Sequence, residues 1–381
     1  MLLGVNLSLL IGPTAPLPAT PDIAEAVQSV SVTQNDEGRS GFQIVLHAGR
    51  AGVADMLDYP LLLNPLLKPF NRVILILLCG PAPTVLIDGV ITTRQLSPGS
   101  APGSGTLTLT GEDVSVMMDL KRARKSYTAL SEPLIAMSII ASYAQYGLVP
   151  MVILPRIIDQ PLEFERTPTQ QGTDLEQLKS MGERFGHVFF IDPGPVPGVN
   201  TAYWGPPRRL GVPQPALTVN MGPETNVEQI SFSYNGLAAT LVDDTFRDNR
   251  LDMDIPIMTF ASMRLPPLVP LPALPMQLPN VRTSLLDQGS GIDVMQAMAK
   301  AQGITDKSVD SVVTAQGELD GLRYGGVLKP RGLVGLRGAG FTHDGLYYVK
   351  SVSHTIGKGQ YKQKFALTRE GDGSMVPAVR P

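Results

Sequence analysis

Asp344-Gly345-Leu346-Tyr347-Tyr348-Val349-Lys350-Ser351-Val352-Ser353-His354-Thr355-Ile356 leads through Gly357-Lys358-Gly359 into the run from Gln360 to Glu370. On the first arm Leu346, Tyr348, Val352 and Ile356 share one face, with Tyr347, Val349, Ser351, Ser353 and Thr355 on the other. On the second arm Tyr361, Phe365 and Leu367 oppose Lys362, Lys364 and Thr368. A period of two is the strand signal, and the glycines at 357 and 359 give the turn its backbone freedom. The pattern predicts a long β-hairpin that closes a β-barrel with Tyr361, Phe365 and Leu367 in its core. Lys362 and Lys364 then point outward, toward a channel or a neighbouring subunit. Lys350 on the first arm is a third candidate contact.

Just upstream, Gly317-Glu318-Leu319-Asp320-Gly321-Leu322-Arg323-Tyr324-Gly325 leads to Leu328 and then to Gly332-Leu333-Val334-Gly335-Leu336-Arg337-Gly338-Ala339-Gly340. With the hairpin ending Thr368-Arg369-Glu370-Gly371, this wording resembles the end of the phage late control D family. That family comprises tail-hub proteins of contractile phages and of phage-like contractile injection systems. It also covers the hub half of VgrG spike proteins of type VI secretion. A second block resembles the family more loosely. Gln170-Gln171-Gly172-Thr173-Asp174-Leu175 precedes Gly182-Glu183-Arg184-Phe185-Gly186-His187-Val188-Phe189-Phe190, with Leu175 where the family usually carries an aromatic residue.

At 381 residues the chain is long for one compact domain, so roughly two to four are expected. The 17% charged fraction is low against roughly 25% in ordinary soluble domains. Such a surface favours a component that buries much of itself against partners. A net charge of −3 gives no general attraction to nucleic acid. The single cysteine, Cys79, excludes an intramolecular disulfide and reads as a small buried hydrophobe. The opening Met1 to Ile11 has no positive charge before its apolar run and reads as a strand, not a signal peptide. No apolar run approaches the ~20 residues of a membrane span.

Alternating segments predict strands at Gly4–Ile11, Val27–Asn35, Gly41–Ala48, Arg72–Leu78, Thr84–Arg94 and Thr106–Gly111, with the turn-rich 97–105 between the last two. Residues 1–120 are therefore expected to form a first antiparallel β-barrel, completed by about 201–222 with Tyr203-Trp204-Gly205 as its returning strand. Residues 121–200 form an inserted α+β domain. Its first helix starts at Ser131 with Ile135, Ile139 and Tyr143 inward, and Gly147 stops it. Its second helix opens on a Thr173/Glu176 capping box, with Leu175, Leu178, Met181 and Phe185 as the apolar stripe. Residues 223–290 and 315–372 form a second barrel, with strands Glu228–Tyr234, Ala238–Phe246 and Pro256–Arg264. The proline-rich 265–279 is expected to be extended and stiff, either a linker across a neighbouring subunit or a loop insertion. Its Pro266, Pro267 and Pro270 are candidate contacts. A helical excursion over 291–314 places Met295, Met298 and Ala299 on one face, and 373–381 is a tail. The fold class is thus mainly β with two antiparallel β-barrels and a small α+β inserted domain, and the resemblance implies that the barrels are tail-tube-like.

The sequence offers no catalytic or metal set. His47, His187, His343 and His354 lack a second ligand at helical or Cys/His spacing. Asp344, Ser351 and His354 share one hairpin, where such triples arise by chance. The acidic group Asp243, Asp244, Asp248, Asp252 and Asp254 lacks the glycine and terminal glutamate of a calcium loop and reads as a solvated face.

The resemblance implies a non-enzymatic baseplate hub without cofactors. It implies a homotrimeric ring, pseudo-six-fold because each protomer carries two barrels, that adapts a six-fold tail tube to a three-fold spike. Because the chain stops at Pro381, soon after the hairpin, the spike is expected to be a separate trimeric protein. Tail-tube protein and baseplate wedge proteins complete the implied partners, with assembly in the bacterial cytoplasm. The rival from another class is a secreted β-rich carbohydrate-binding or adhesion module, which would need an export signal and an aromatic-lined groove.

Overall fold

The computed structural model describes residues 5–49, 58–79, 82–101, 104–156, 167–248, 253–286 and 293–375. Gly4, Pro102, Gly103, Asp252, Gly291 and the 376–381 end of the tail lie outside them, as does the side chain of Asp248.

The molecule is mostly β. In the first domain β1 (Asn6–Gly12), β2 (Val27–Asn35), β3 (Gly41–His47), β4 (Arg72–Leu78), β5 (Pro83–Ser97) and β6 (Thr106–Asp113) pair antiparallel in the order β2-β3-β6-β5-β4-β1. Alternation is the cause: Val30 and Val32, Phe42, Ile44 and Leu46, and Leu107 and Leu109 turn to one core with Ile11, Val73, Leu75 and Ile87.

The insert contains β7 (Arg122–Ser126), α1 (Glu132–Ala141), β8 (Leu148–Val152), β9 (Thr169–Thr173), α2 (Asp174–Arg184), β10 (Val188–Pro193) and β11 (Asn200–Gly205). Ser131 takes the N-cap place of α1 without a side-chain bond, whereas Thr173 and Glu176 form both halves of the capping box on α2. The expectation that Tyr203-Trp204-Gly205 returns to the first barrel is corrected: β11 pairs with β10 and, parallel, with β8. Trp204 is fully buried in the insert core with Leu178, Met181 and Phe189, and its indole N–H donates to the Leu178 carbonyl at 2.9 Å. That ring has a core to fill only beneath α2.

The second domain adds β12 (Gln214–Thr218), β13 (Val227–Tyr234), β14 (Thr240–Asp248), β15 (Met253–Met258), β16 (Arg282–Ser284), α3 (Val294–Val309), β17 (Val313–Asp320), β18 (Leu333–Arg337), β19 (Gly345–Gly357) and β20 (Gln360–Arg369). Its main sheet runs β13-β17-β20-β19, with β18 also on β19 and β12 parallel to β18. The Gln214–Thr218 part of the segment expected to complete the first barrel therefore belongs here. Two strands expected in this sheet leave it. β14 and β15 pair with each other and β14 with β16, because Val242, Phe246 and Ile257 bury against Ala297 and Ala301 of α3. α3 turns its alanines inward while Met295 and Met298 are exposed, so Ala299 does not share the methionines' surface as expected.

The proline-rich run is not an extended linker within the protomer. Leu268, Val269, Ala273 and Leu274 are buried, Leu271–Pro272 pairs with Gly371–Asp372, and Ala273–Gln277 is a short helix. Apolar residues between the prolines draw the run back onto its own domain, and Pro275 is tolerated because it lies in the first turn, where helix N–H groups lack partners anyway.

The long hairpin, β19 with β20, spans both domains. Its faces follow the expected parity only in part, since Lys350 is a bulge: Val349 pairs with Leu367 but Ser351 with Ala366. One inserted residue swaps the faces, so Tyr347 and Val349 join Val352 in the second core, while Tyr348 and Leu346 pack with Leu268 and Leu333. Beyond it Phe365 and Leu367 stay in the second core, whereas Ile356 and Tyr361 enter the first. β19 also pairs antiparallel with β2, fusing the two sheets.

His354 sits at this seam, fully buried, with Tyr361 Oη at 3.0 Å and Gln34 Oε1 at 3.4 Å. Burial lowers its pKa to about 3. A depressed histidine contributes stability above the unfolded value of 6.5 that is lost as pH falls. At about pH 5 the loss is about 2 kcal/mol. Denaturant titrations at about pH 5 and pH 8 should show His354→Gln losing that much less stability on acidification than the wild type.

The insert is tied to both β domains by buried cations. Arg72 pairs with Asp88 at 2.6 Å and donates to the carbonyls of Tyr146 and Gly198, with Asn200 also on Asp88. Arg331 donates to the carbonyls of Asn35 and Ile191 and to Ser40, and stacks 4.1 Å from the centre of the Phe190 ring.

Candidate functional site

The fusion of β19 with β2 creates one continuous thirteen-stranded sheet, in which the run β13-β17-β20-β19-β2-β3-β6-β5 passes on from β5 to β4 and β1. One face covers the two cores. The other is a ladder of short neutral polar side chains. Its rows run Ser231–Gln316–Ala366–Ser351 in the second domain and Ser31–Gln43–Thr110–Thr93 in the first, joined where Ser353 stands opposite Thr33 and Thr355 opposite Ser31. The hydroxyls of Thr33 and Ser353 bond across the seam at 3.0 Å. The second domain's part forms an open trough of about 550 Å³ lined by Gln229, Ser231, Gln316, Ser351, Ser353 and Lys364.

Lys362 and Lys364 lie on this face, yet it is not cationic. Lys362 Nζ contacts Glu228 at 2.9 Å and Glu318 at 2.8 Å, and Lys364 reaches Glu318 at 3.6 Å. The hydrogen bonds that Lys362 donates to Glu318 and Glu228 raise its own pKa and lower that of Glu318. The expected cationic surface is thus corrected to a charge-balanced one, because β13 and β17 place acids opposite the lysines. Lys350 is elsewhere, half-buried at the bulge and paired with Glu37 at 3.3 Å. Pro266, Pro267 and Pro270 are exposed, and Tyr361, Phe365 and Leu367 are buried.

Two strand edges of this sheet are open among the described residues. β13 pairs only with β17, and the Thr93–Ser97 half of β5 pairs only with β6. Apolar side chains flank each edge. Beside β13, where Gln277 reaches the Tyr234 hydroxyl, Leu237 is 71% exposed, Met276 63% and Leu278 56%. Beside β5, where Arg94 donates to the Leu62 carbonyl and Phe70 N–H to Ile91, Leu63 is 64% and Phe70 58% exposed. Sequence reading missed this site. Its signal was the Ser/Thr/Gln parity of Ser29, Ser31 and Thr33, of Thr106, Thr108 and Thr110, and of Gln229, Ser231 and Ser233.

No hydrolytic triad forms: His354 bonds to Tyr361, and the Asp344 carboxylate accepts from Ala339 N–H at 2.8 Å. Among the described residues there is no metal-ligand cluster, Asp244 accepts from Leu286 N–H and Asp254 pairs with Arg247. No helix of the described residues is long and apolar enough to cross a membrane.

No family model matches the chain, and no curated protein matches it. Solved structures do. A tail protein from Neisseria meningitidis MC58 aligns over 97% of this chain and 98% of its own, at 12% identity and a TM-score of 0.61. The 43 kDa tail protein of prophage MuSo2 from Shewanella oneidensis aligns over 96% and 98%, at 10% identity and 0.64. An E. coli component of the type VI secretion system, described as structurally similar to two T4 bacteriophage tail proteins, aligns over 93% and 76%, at 12% identity and 0.56. The chain has the fold shared by phage tail proteins and type VI secretion components, consistent with the tail-hub family that its C-terminal hairpin resembles.

Proposed function

We propose that this chain is the structural hub of a phage tail or contractile injection system, working as a homotrimeric ring without catalysis. The observation that supports this reading best is the sheet that runs unbroken through both domains and leaves two strand edges unpaired among the described residues, β13 and the Thr93–Ser97 half of β5. An exposed strand edge with an apolar flank is a template for pairing with another chain. Two different edges on one protomer make a head-to-tail contact, and such contacts close into rings when the rotation permits. Three copies then alternate six similar β domains around one bore. The Ser/Thr/Gln face lines that bore and the apolar flanks sit between subunits.

The pseudo-six-fold rim suits a six-fold tail-tube protein. The insert and the proline-rich segment are left for a trimeric spike and for baseplate wedge proteins. Assembly takes place in the bacterial cytoplasm. The carbohydrate-binding alternative predicts an aromatic-lined groove, and the sheet's trough carries Ser, Gln and Lys instead.

Leu237→Glu combined with Leu278→Glu tests the contact. Both side chains are more than half exposed in the protomer, so the fold should survive. An obligate contact of this kind typically buries more than ~2,000 Å². Native mass spectrometry should show the trimer of the wild type replaced by folded monomer. An unchanged trimer would move the interface elsewhere.

A further inference from the structure

A small, partly open cavity of about 60 Å³ lies where the β2–β3 turn, the insert, α3 and the β19 bulge meet. Asp36, 4% exposed, lines it, and one carboxylate oxygen accepts from Glu37 N–H at 2.7 Å. The cations nearest this carboxylate are engaged elsewhere. Lys350 pairs with Glu37 at 3.3 Å and Arg331 donates to Asn35, Ile191 and Ser40. Across the cavity Lys307 of α3 also pairs with Glu37, and Arg209 and Arg264 both hold Asp310. Two polar atoms at this cavity have no hydrogen-bond partner: the hydroxyl of Tyr348, 4% exposed, and Nδ1 of His187.

A buried carboxylate with no cation of its own and an orphan hydroxyl on one cavity are each costly, and one proton can relieve both. We propose that Asp36 and Tyr348 form a proton-operated latch on the junction of the first domain, the insert and the second domain. Protonated, Asp36 donates toward the Tyr348 hydroxyl through water that a polar cavity of this size holds, and the junction tightens. Ionised, it leaves an unmatched charge there and the junction loosens.

The electrostatics agree in direction. Burial raises the Asp36 pKa to about 6, against the opposing pull of Lys350. A raised carboxylate contributes stability that is present below its unfolded value of 3.8 and lost as pH rises through about 6. The other groups at the junction titrate differently. Glu37 is exposed; desolvation raises its pKa, but Lys350 and Lys307 together lower it by more, so it changes below this window. Burial lowers His187 to about 3, which opposes acid stabilisation equally with and without Asp36. Burial also keeps the Tyr348 hydroxyl protonated throughout.

Thermal melting of the full chain from about pH 5 to about pH 8 tests the latch through Asp36→Asn and Tyr348→Phe. Asp36→Asn should melt above the wild type at pH 8, and the gap should close or reverse by pH 5. Tyr348→Phe should lower the melting temperature at pH 5 and change it little at pH 8. Hydrogen exchange at the amides of 348–350 should slow on acidification relative to the intrinsic rate in the wild type, but not in Asp36→Asn. A gap for either variant that is the same at both ends of the range would overturn the proposal. These readouts concern one protomer's junction, so they stand or fall independently of ring formation.

Discussion

Phe365→Ala should destabilise the protomer by about 3–5 kcal/mol, the usual cost of emptying a large aromatic site in a core that cannot collapse around it. Phe365 is 3% exposed and packs with Leu319, Val349, Val352 and Leu367. The site is also unusually rigid. Phe365 stands opposite Gly317 on β17, and a Cβ on that glycine would come within 2.5 Å of the ring. The first domain repeats the device with Phe42 opposite Gly111. In each case the ring covers the strand at the glycine, so neither partner has a substitute. Urea unfolding of the variant would check the magnitude. A loss under about 1 kcal/mol would show that neighbouring side chains refill the space.

Arg331→Met should cost a similar amount, roughly 3–5 kcal/mol, because it strands several buried acceptors at once. The Asn35 carbonyl belongs to the first domain, the Ile191 carbonyl to the insert, and Arg331 itself to the second domain. Arg331 occupies a left-handed backbone conformation, φ 64°, that a non-glycine residue holds only where its surroundings fix it. The shape of the loss distinguishes this site from Phe365. Calorimetry of Arg331→Met should resolve the insert as a separately melting unit, whereas Phe365→Ala should retain one cooperative transition. A single unshifted transition for Arg331→Met would remove it from the domain ties.

What the sequence made legible follows from range. Val27–Asn35 was readable to the residue because its alternation is local and it has one buried face, and Arg72–Leu78 because its apolar run is short and bounded by turn residues. The capping box on α2 was readable for the same reason. Trp204 was misplaced because a strand's own pattern says nothing about which sheet it joins. Pairing of β11 with β10 and β8 is settled by the apolar surface of α2, tens of residues away in places. The bulge at Lys350 was invisible because one extra residue leaves local alternation plausible on either side. The proline-rich run misled because prolines dominate its composition, while burial is set by Leu268, Val269, Ala273 and Leu274 between them. The lysines of β20 were placed on the correct face, but their charge was not. Their neutralising partners Glu228 and Glu318 lie on strands whose adjacency is a property of the whole sheet.

The polar ladder shows the same limit from the functional side. Each strand contributes an ordinary solvated row of Ser, Thr or Gln. Only the pairing of β19 with β2 makes the rows into a single wall with an edge at each end. An isolated protomer would leave those edges and Leu63, Phe70, Leu237 and Leu278 in water. A closed ring buries them all. Sedimentation equilibrium of the purified full-length chain at micromolar concentration tests that directly. A single species of three times the 40.8 kDa chain mass is the predicted result. A monodisperse monomer would contradict it.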